Sequence, residues 1–266
     1  MPPKRKFVTK TQSRIWRSMK VNGIQLHGIH PRLKKAFYPK YEFKEANIDH
    51  AKHKTTTGGY KRVKGSMRLG RGFDTAVGQV VRLLRKYPSL SVGCFLEARR
   101  LERHESKLTA ADYRTATRLL YRRNPYLRML LALLIEKKML PIATQVPVKH
   151  GGLKLKTWVD LVVYDTKKNK VRPIELKAGY EGYLEKSTRY PMNYPFQDKP
   201  DYPLNQHFLQ TATTGELYTY NHPAPEIVGA PMLLIFQTAG IKEPVIPKWI
   251  KQRMPQMLDV LKNLPD

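Results

Sequence analysis

The sequence predicts an α/β fold in which a mixed central sheet is flanked by helices. Three features predict it: helical spacing of apolar residues from position 72, a change to short runs rich in β-branched residues after Pro141, and a return to helical spacing before a last apolar run at 231–238. The predicted order of elements is therefore helices, three strands, a helix and a strand.

The predicted helices are recognisable from an apolar stripe and from capping residues. The stripe of the first helix consists of Phe73, Val77, Val80, Val81 and Leu84. At Thr109, the letters "TAAD" place a capping residue three positions before an acid, which predicts the start of a second helix. Asn124 followed by Pro125 predicts a third helix that ends before Pro141.

Three extended runs follow, "IATQVPV", "TWVDLVVY" and "KVRPIELKA", separated by Gly or Lys–Asn turns. Short strands with turns of this kind predict a three-stranded meander. A loop rich in Pro and Tyr comes next, followed by a helix over "LNQHFLQTATTGELYTY" and a buried strand over "PMLLIFQT".

The chain divides into a basic segment and a folded domain. Residues 1–70 contain 18 Lys and Arg but only three acids, which predicts a basic N-terminal arm with a flexible loop at 50–66. Residues 71–266 are predicted to form one domain without internal repeats.

The overall charge indicates the class of partner. Forty-nine Lys and Arg against 21 Asp and Glu give a formal net charge of +28, which attracts polyanions, and DNA is the partner we expect. The longest apolar run, "MLLALLI" at 129–135, is far shorter than the ~20 residues of a membrane span. We therefore expect no membrane-spanning segment.

Cys94 is the single cysteine, which excludes an internal disulfide, a four-cysteine iron–sulfur cluster and a cysteine-rich zinc site. A reducing compartment fits this composition. The start "MPPKRK" resembles a nuclear address and equally fits a phosphate-binding tail. A mitochondrial presequence is the alternative, because no acid precedes Glu42.

Two acids and a lysine are predicted to meet across a hairpin. If "TKKN" closes a tight turn, Asp160 lies opposite Glu175 or Lys177, and all three side chains share one face. Facing carboxylates repel unless a cation lies between them, and hard oxygen ligands suit Mg²⁺, with Mn²⁺ as substitute. The carbonyl of Leu176 could add a third oxygen. The alternative is a cross-strand ion pair on a solvated sheet face.

These residues resemble a known family. Asp160 followed fifteen positions later by "IELK" resembles the signature of the PD-(D/E)XK nuclease superfamily, as does the order of elements over roughly residues 72–238. The segment "TQVPVKHGGLKLKTWVDLVVYD" and the helix "NQHFLQTATTGELY" are similar to its lambda-exonuclease-like and RecB-like branch. The resemblance implies a restriction-endonuclease-like core with additional N-terminal helices. It also implies a Mg²⁺-dependent deoxyribonuclease, an exonuclease that processes DNA ends for recombination, repair or genome processing.

The resemblance also implies roles for individual residues. Asp160 and Glu175 would bind the metal together with the carbonyl of Leu176, and Lys177 would act as the base or position the water. On the later helix, Gln206 and Gln210 lie one turn apart and would hold the scissile phosphate or nearby DNA. Their alternative is an amide network or a cap.

One position departs from the family pattern. Where many members have Glu, this chain has Gln145, an amide that can orient water or contact nucleic acid but is a poor ligand for Mg²⁺. Either the site uses one firmly bound ion or an upstream acid compensates, and Asp74 is the first candidate for that acid, with Glu136 the second. Asp74 is otherwise explained as an acid favoured near a helix N-terminus. Without a third acid, the site would bind DNA and not cut it.

Two further groups are candidates for DNA contact. The rings of four tyrosines in the Pro- and Tyr-rich region could stack on unpaired bases or pack over the core; they are Tyr183, Tyr190, Tyr194 and Tyr202. The cations Arg82, Arg85 and Lys86 on the first helix are predicted to contact phosphates.

Two other functions stay open at this stage. One is a non-catalytic basic DNA-binding or packaging protein on a decayed nuclease fold, and the other is a structure-specific endonuclease of the junction-resolvase type. By analogy with the family, a homo-oligomeric ring is possible.

Overall fold

The structure, a computed structural model, describes residues 20–21, 24–38, 59–121, 124–178 and 191–265. Within these residues the helices are α1 (Ile29–Phe37), α2 (Gly59–Lys86), α3 (Ala98–Glu102), α4 (Ala110–Tyr121), α5 (Pro125–Glu136), α6 (Pro203–Asn221), α7 (Lys248–Gln252) and α8 (Met254–Asn263). The strands are β1 (Lys20–Val21), β2 (Ile24–Gln25), β3 (His27–Gly28), β4 (Met139–His150), β5 (Leu155–Asp165), β6 (Lys170–Ala178), β7 (Met232–Gln237) and β8 (Gly240–Lys242).

The central sheet is open and contains both parallel and antiparallel pairs. Strands β4, β5 and β6 form an antiparallel meander, β6 pairs in parallel with β7, and β8 pairs antiparallel with β7. Strand β3 pairs in parallel with the start of β5. The α/β class, the mixed sheet and the flanking helices are thus confirmed.

Local signals in the sequence account for the helix starts. The Thr109 hydroxyl accepts a hydrogen bond from the Asp112 amide at 3.2 Å, as the predicted cap requires. The Asn124 side chain accepts from the amides of Tyr126 and Leu127, and Pro125 occupies the first helical position. Both predicted caps are confirmed.

Two hydrophobic cores cover the two faces of the sheet. We call the cluster formed with α2, α4 and α5 the first core, and the cluster formed with α1, α6 and α8 the second core. Cys94 is buried in the first core. Among the helices of the described residues, none is long and apolar enough to cross a membrane.

Part of the segment predicted as a basic arm belongs to this fold, which corrects the boundary at residue 70. Helix α1 buries Ile29, Leu33 and Phe37 in the second core because these residues recur at every fourth position along one side of the helix. Helix α2 begins at Gly59 and continues across the predicted boundary. The remainder of the predicted loop at 50–66, residues 50–58, lies outside the described residues.

The first strand of the meander also starts earlier than predicted. Helix α5 ends at Glu136, and β4 begins at Met139, so Pro141 lies within the strand. The pairing register of β4 shifts between Pro141 and Ala143. An edge strand tolerates a proline at such an irregularity, which explains why Pro141 does not precede the strand.

Candidate metal and nucleic-acid site

The candidate site lies where β5 and β6 separate. A turn at residues 166–169 closes the hairpin, and Leu161 paired with Ile174 is the last pair of its ladder. The predicted register is thus confirmed for the hairpin, and Asp160 on β5 and Glu175 on β6 are the next residues beyond its last pair. Beyond the ladder, Oδ2 of Asp160 accepts a hydrogen bond from the Leu176 amide at 3.0 Å. The carboxylate thus takes the place of the missing backbone partner.

Side-chain alternation along β5 reverses at Asp160. Val159 packs in the second core, whereas Leu161 packs in the first core. In a regular strand, residues two positions apart lie on the same face. The reversal places Asp160 at the point where the strand changes its facing, next to the opening between β5 and β6.

Lys177 and Gln210 contact the buried Glu175. The Lys177 ammonium donates to Oε1 of Glu175 at 2.6 Å and to Oε1 of Gln210 at 3.3 Å, while Nε2 of Gln210 donates to Glu175 at 2.7 Å. Glu175 is only 4% exposed. Ile174 and Leu176 pack in the first core, so Glu175 and Lys177 point to the opposite face, where α6 supplies Gln210.

Three carboxyl groups at this site influence one another. Burial, followed by the charges of Asp160 and Asp74, raises the pKa of Glu175 to about 7, and the Lys177 ammonium opposes this shift. Burial and the Asp160 charge raise the pKa of Asp74 to about 6. Burial also raises the pKa of Asp160, against the opposing effects of the Leu176 amide and Lys177. One lysine is thus close to three acids.

Asp74 is brought to the site by its neighbour on α2. The Phe73 ring is buried in the first core and contacts the Phe236 ring edge-on, with 4.8 Å between centroids. Asp74 is the next residue of α2. Of the two acids predicted to compensate for Gln145, Asp74 is the one whose charge is coupled to Asp160. Glu136 lies at the exposed C-terminal end of α5.

Gln145 faces Asp160 across the β4–β5 ladder. Thr144 pairs with Leu161 and Val146 with Val159, which sets Gln145 opposite Asp160. Its amide Nε2 lies 3.4 Å from Oδ1 of Asp160. The backbone of Gln145 has φ = 51°, in the left-handed region that non-glycine residues seldom adopt. The amide therefore borders the opening occupied by the carboxylates.

The structure separates the two glutamines of α6. Whereas Gln210 contacts Glu175 and Lys177, the amide of Gln206 donates to Asp201 at 2.7 Å. Asp201 is fully buried. Gln206 thus forms part of an amide–carboxylate pair that stabilises the start of α6, which corrects the expectation that both glutamines reach the site.

The basic face of α2 is also largely engaged. Arg82 and Lys86 form ion pairs with Asp112 of α4 at 2.8 and 2.7 Å, and the Tyr87 hydroxyl donates to the same carboxylate. These cations hold α2 against α4, and the phosphate contact predicted for them stays a prediction. Arg85 instead borders an apolar cavity.

The aromatic region is described only in part. Tyr183 and Tyr190 lie outside the described residues. Tyr194 is 57% exposed and borders a small cavity together with Asp198 and Arg253, which form an ion pair. Tyr202 is the capping residue of α6. The stacking role predicted for Tyr190 and Tyr194 stays a prediction.

Two histidines near Lys177 were not assigned from the sequence. Burial and then the Lys177 charge lower the pKa of His30, and burial, Lys177 and His30 lower the pKa of His207 to about 3. His207 lies three residues before Gln210 on α6, a spacing that brings side chains to one face and could have revealed it. His30 has no such spacing to a predicted site residue, because residues 1–70 are predicted to form a basic arm.

The chain matches no known family model. No curated protein sequence is significantly similar to it either. The resemblance to the PD-(D/E)XK nucleases therefore rests on the motif around Asp160 and Glu175 and on the order of elements.

The acids of the site offer the type of donor atom that hard divalent cations prefer. Asp74, Asp160 and Glu175 offer carboxylate oxygens, and burial is the main cause of the raised pKa of each acid. Within the described ranges, no three Asp, Glu, His or Cys side chains lie in an arrangement that could hold a metal ion. Because oxygen ligands suit Mg²⁺ and the motif supplies no thiolate, a hard cation fits best.

Proposed function

We propose that this protein is a metal-dependent nuclease that hydrolyses phosphodiester bonds in DNA, and that it acts as an exonuclease on DNA ends. The observation that carries the proposal is the convergence of Asp160, Glu175 and Lys177, with Gln210 hydrogen-bonded to both members of the Glu175–Lys177 pair. The coupling of Asp74 to the same acids supports it. The net charge of +28 attracts DNA, but a cluster of acids repels the phosphates of DNA. Such a cluster is therefore costly at a DNA-binding site unless a cation binds to it.

The donor set assigns the ligands of the cation. Asp160 and Glu175 would hold Mg²⁺, or Mn²⁺ in its place, with Asp74 and the carbonyl of Leu176 as further oxygen donors. When bound, the ion supplies positive charge that stabilises the charge developing on the phosphate oxygens.

Side chains of the protein would position the attacking water and the phosphate. Lys177, fixed by Glu175 and Gln210, would orient the attacking water, and its positive charge would stabilise the hydroxide formed as that water loses a proton to the solvent. The water oxygen forms a bond to phosphorus while the bond from phosphorus to the 3′ oxygen breaks. That oxygen gains a proton, so the product keeps a 5′-phosphate. Gln145 would hold a water or a phosphate oxygen at the border of the site.

End-labelled linear DNA and closed circular DNA test the proposal directly. Each substrate is incubated with the protein in EDTA, Mg²⁺ or Mn²⁺, and Glu175→Gln serves as the matched inactive variant. Metal-dependent release of nucleotides from linear DNA alone is the expected result. Opening of the circle would instead indicate an endonuclease.

A second candidate function is DNA binding without cleavage. The amide at Gln145 favours it, because two carboxylates and a carbonyl hold Mg²⁺ only weakly if Asp74 does not join them. In the same assay this function would appear as a gel shift of both substrates, with no product under any metal condition.

A further inference from the structure

An apolar cavity of about 750 Å³ lies away from the candidate site. It is formed by the C-terminal ends of α2 and α5, the loop after α2 and the start of β4. Asp74 and Arg85 are eleven residues apart on α2, which corresponds to about 16 Å along the helix. A molecule in this cavity could therefore lie beside the candidate site without filling it.

The rim of the cavity exposes aliphatic side chains. Ile135, Leu140 and Ile142 are 46%, 51% and 37% exposed, and all three line the cavity. The floor includes Leu90, which is buried in the first core. Apolar side chains grouped around a concavity mark a surface that another molecule covers, whereas single exposed apolar residues need no explanation.

Cations accompany these aliphatic residues. Arg85 and Lys138 line the same cavity, as does Arg100, which also pairs with Glu97 at 2.7 Å. In the part of the chain that the structure describes, no acidic residue lines it. An occupant that complements the surface must combine aliphatic groups with negative charge.

We propose that this cavity, here called the α2–β4 groove, binds a segment of a partner protein in which aliphatic side chains are flanked by acidic residues. Positive charge disfavours two other occupants of the groove, a second copy of the chain and the chain's own residues 1–70. A second copy carries the same net charge of +28 and the same basic rim, and residues 1–70 hold 18 Lys and Arg against three acids. The spread of exposed aliphatic residues around the rim suits an extended protein segment better than a compact small molecule.

The experiment uses a fluorescein-labelled peptide with a leucine and isoleucine centre and aspartates at both ends. Its binding to the full chain is measured by fluorescence anisotropy at physiological salt. Two matched peptides replace either the aliphatic residues with Ser or the aspartates with Asn. The proposal requires that both replacements weaken binding by about tenfold or more, because groove and rim would each contribute.

Protein variants locate the binding surface. Leu140→Ser and Arg85→Glu should each weaken peptide binding by about tenfold. Val245→Ser and Arg118→Glu are the controls, because Val245 is 85% exposed, Arg118 is exposed on α4, and neither lines the groove. Melting temperatures verify folding, and Ile142→Ser replaces Leu140→Ser if that variant does not fold.

Several outcomes would overturn the inference. Equal weakening by Arg118→Glu would show that the peptide merely responds to the basic surface. Unchanged binding of the Ser-containing peptide would remove the role of the aliphatic groups. Self-association that Leu140→Ser abolishes would identify a second copy as the occupant. A neutral apolar dye that the peptide cannot displace would identify a small-molecule cavity. No DNA enters this test, so its result is independent of the nuclease proposal.

Discussion

The ammonium group of Lys177 lies 2.6 Å from Oε1 of Glu175, two residues earlier on the same strand. Glu175 is buried, and burial alone favours its neutral form. Lys177 therefore keeps negative charge available at the position where a cation would bind. The same ammonium also contacts Gln210, so β6 and α6 are joined at this point.

Replacing Lys177 tests its double role. Lys177→Met should abolish DNA hydrolysis and raise the pKa of Glu175 above about 7, because the opposing positive charge is lost. DNA binding should change little, since the charge of +28 supplies affinity. Cleavage of end-labelled DNA and gel shifts measure both effects, with the exposed Lys242→Met as control. Full cleavage by Lys177→Met would remove the lysine from the mechanism.

The proposed metal ligands have a separate test. Asp160→Asn and Glu175→Gln should each abolish hydrolysis and weaken Mn²⁺ binding in calorimetry by about tenfold or more, because each removes a charged oxygen donor. Asp259→Asn is the matched control, because Asp259 is exposed on α8, and it should leave both measurements unchanged. Metal binding that survives both substitutions would place the cation elsewhere.

The raised pKa of Glu175 predicts how stability depends on pH. Between its ordinary value of 4.5 and the folded value of about 7, the folded state binds more protons at this group than the unfolded chain does. The free energy of unfolding therefore falls as pH rises through this window. The stabilisation from this group is fully present below pH 4.5 and lost by about pH 7.

Urea unfolding of wild type and Glu175→Gln across that window measures the effect. The variant cannot titrate at this position, so its stability relative to wild type should rise with pH. Mg²⁺ should raise the melting temperature of wild type more at pH 7 than at pH 5, because protonated carboxyl groups bind metal poorly. A constant difference between the two proteins would contradict the assigned pKa.

The affinity of the proposed metal site depends on whether position 145 carries an amide or a carboxylate. Gln145→Glu adds a carboxylate opposite Asp160 and should tighten Mn²⁺ binding by about tenfold. Gln252→Glu adds the same charge at the exposed end of α7 and is the control. Unaltered metal affinity with a lower melting temperature would show that position 145 supports the strand and does not reach the cation.

Close packing of α6 fixes the position of Gln210. A Cβ atom added at Gly215 would lie 2.5 Å from Cγ of Pro231, closer than carbon atoms approach. Gly215→Ala should therefore lower the free energy of unfolding by about 1–3 kcal/mol and reduce hydrolysis, because α6 must shift. At Gly70 in α2 an added Cβ meets nothing within 4 Å. Gly70→Ala should thus stabilise the protein by about 0.4–1 kcal/mol, and denaturant titration distinguishes the two.

The sequence predicted those parts of the fold that local signals determine. The caps at Thr109 and Asn124 and the turn before Lys170 depend on neighbours a few residues away, and all three are confirmed. The hairpin register also predicts Asp160 opposite Glu175 or Lys177, and the ladder ends one pair before Asp160 and Glu175. The reversal of side-chain facing at Asp160 could not be predicted, because it depends on how both cores pack against β5.

Helix α1 shows why the sequence does not reveal that part of the basic segment packs in the core. The lysine-rich stretch around Arg32 predicts a solvated cation at this position, yet Arg32 is only 3% exposed. Its guanidinium donates to the carbonyls of Leu261, Leu264 and Pro265 at the end of α8. Cations stabilise helix C-termini, but the partner helix is more than 200 residues away in the chain. No local pattern carries that information.

The hydrogen bond from the Leu176 amide to Asp160 gives the protein a built-in spectroscopic reporter. That amide proton points at a carboxylate and not at a backbone carbonyl, so its chemical shift and its rate of hydrogen exchange follow the charge on Asp160. Protonation of Asp160 would weaken the bond, and a cation would draw electron density from the same carboxylate. Following one ¹⁵N-labelled leucine would therefore reveal occupancy of the site in solution without DNA, without turnover and without any change to the sequence.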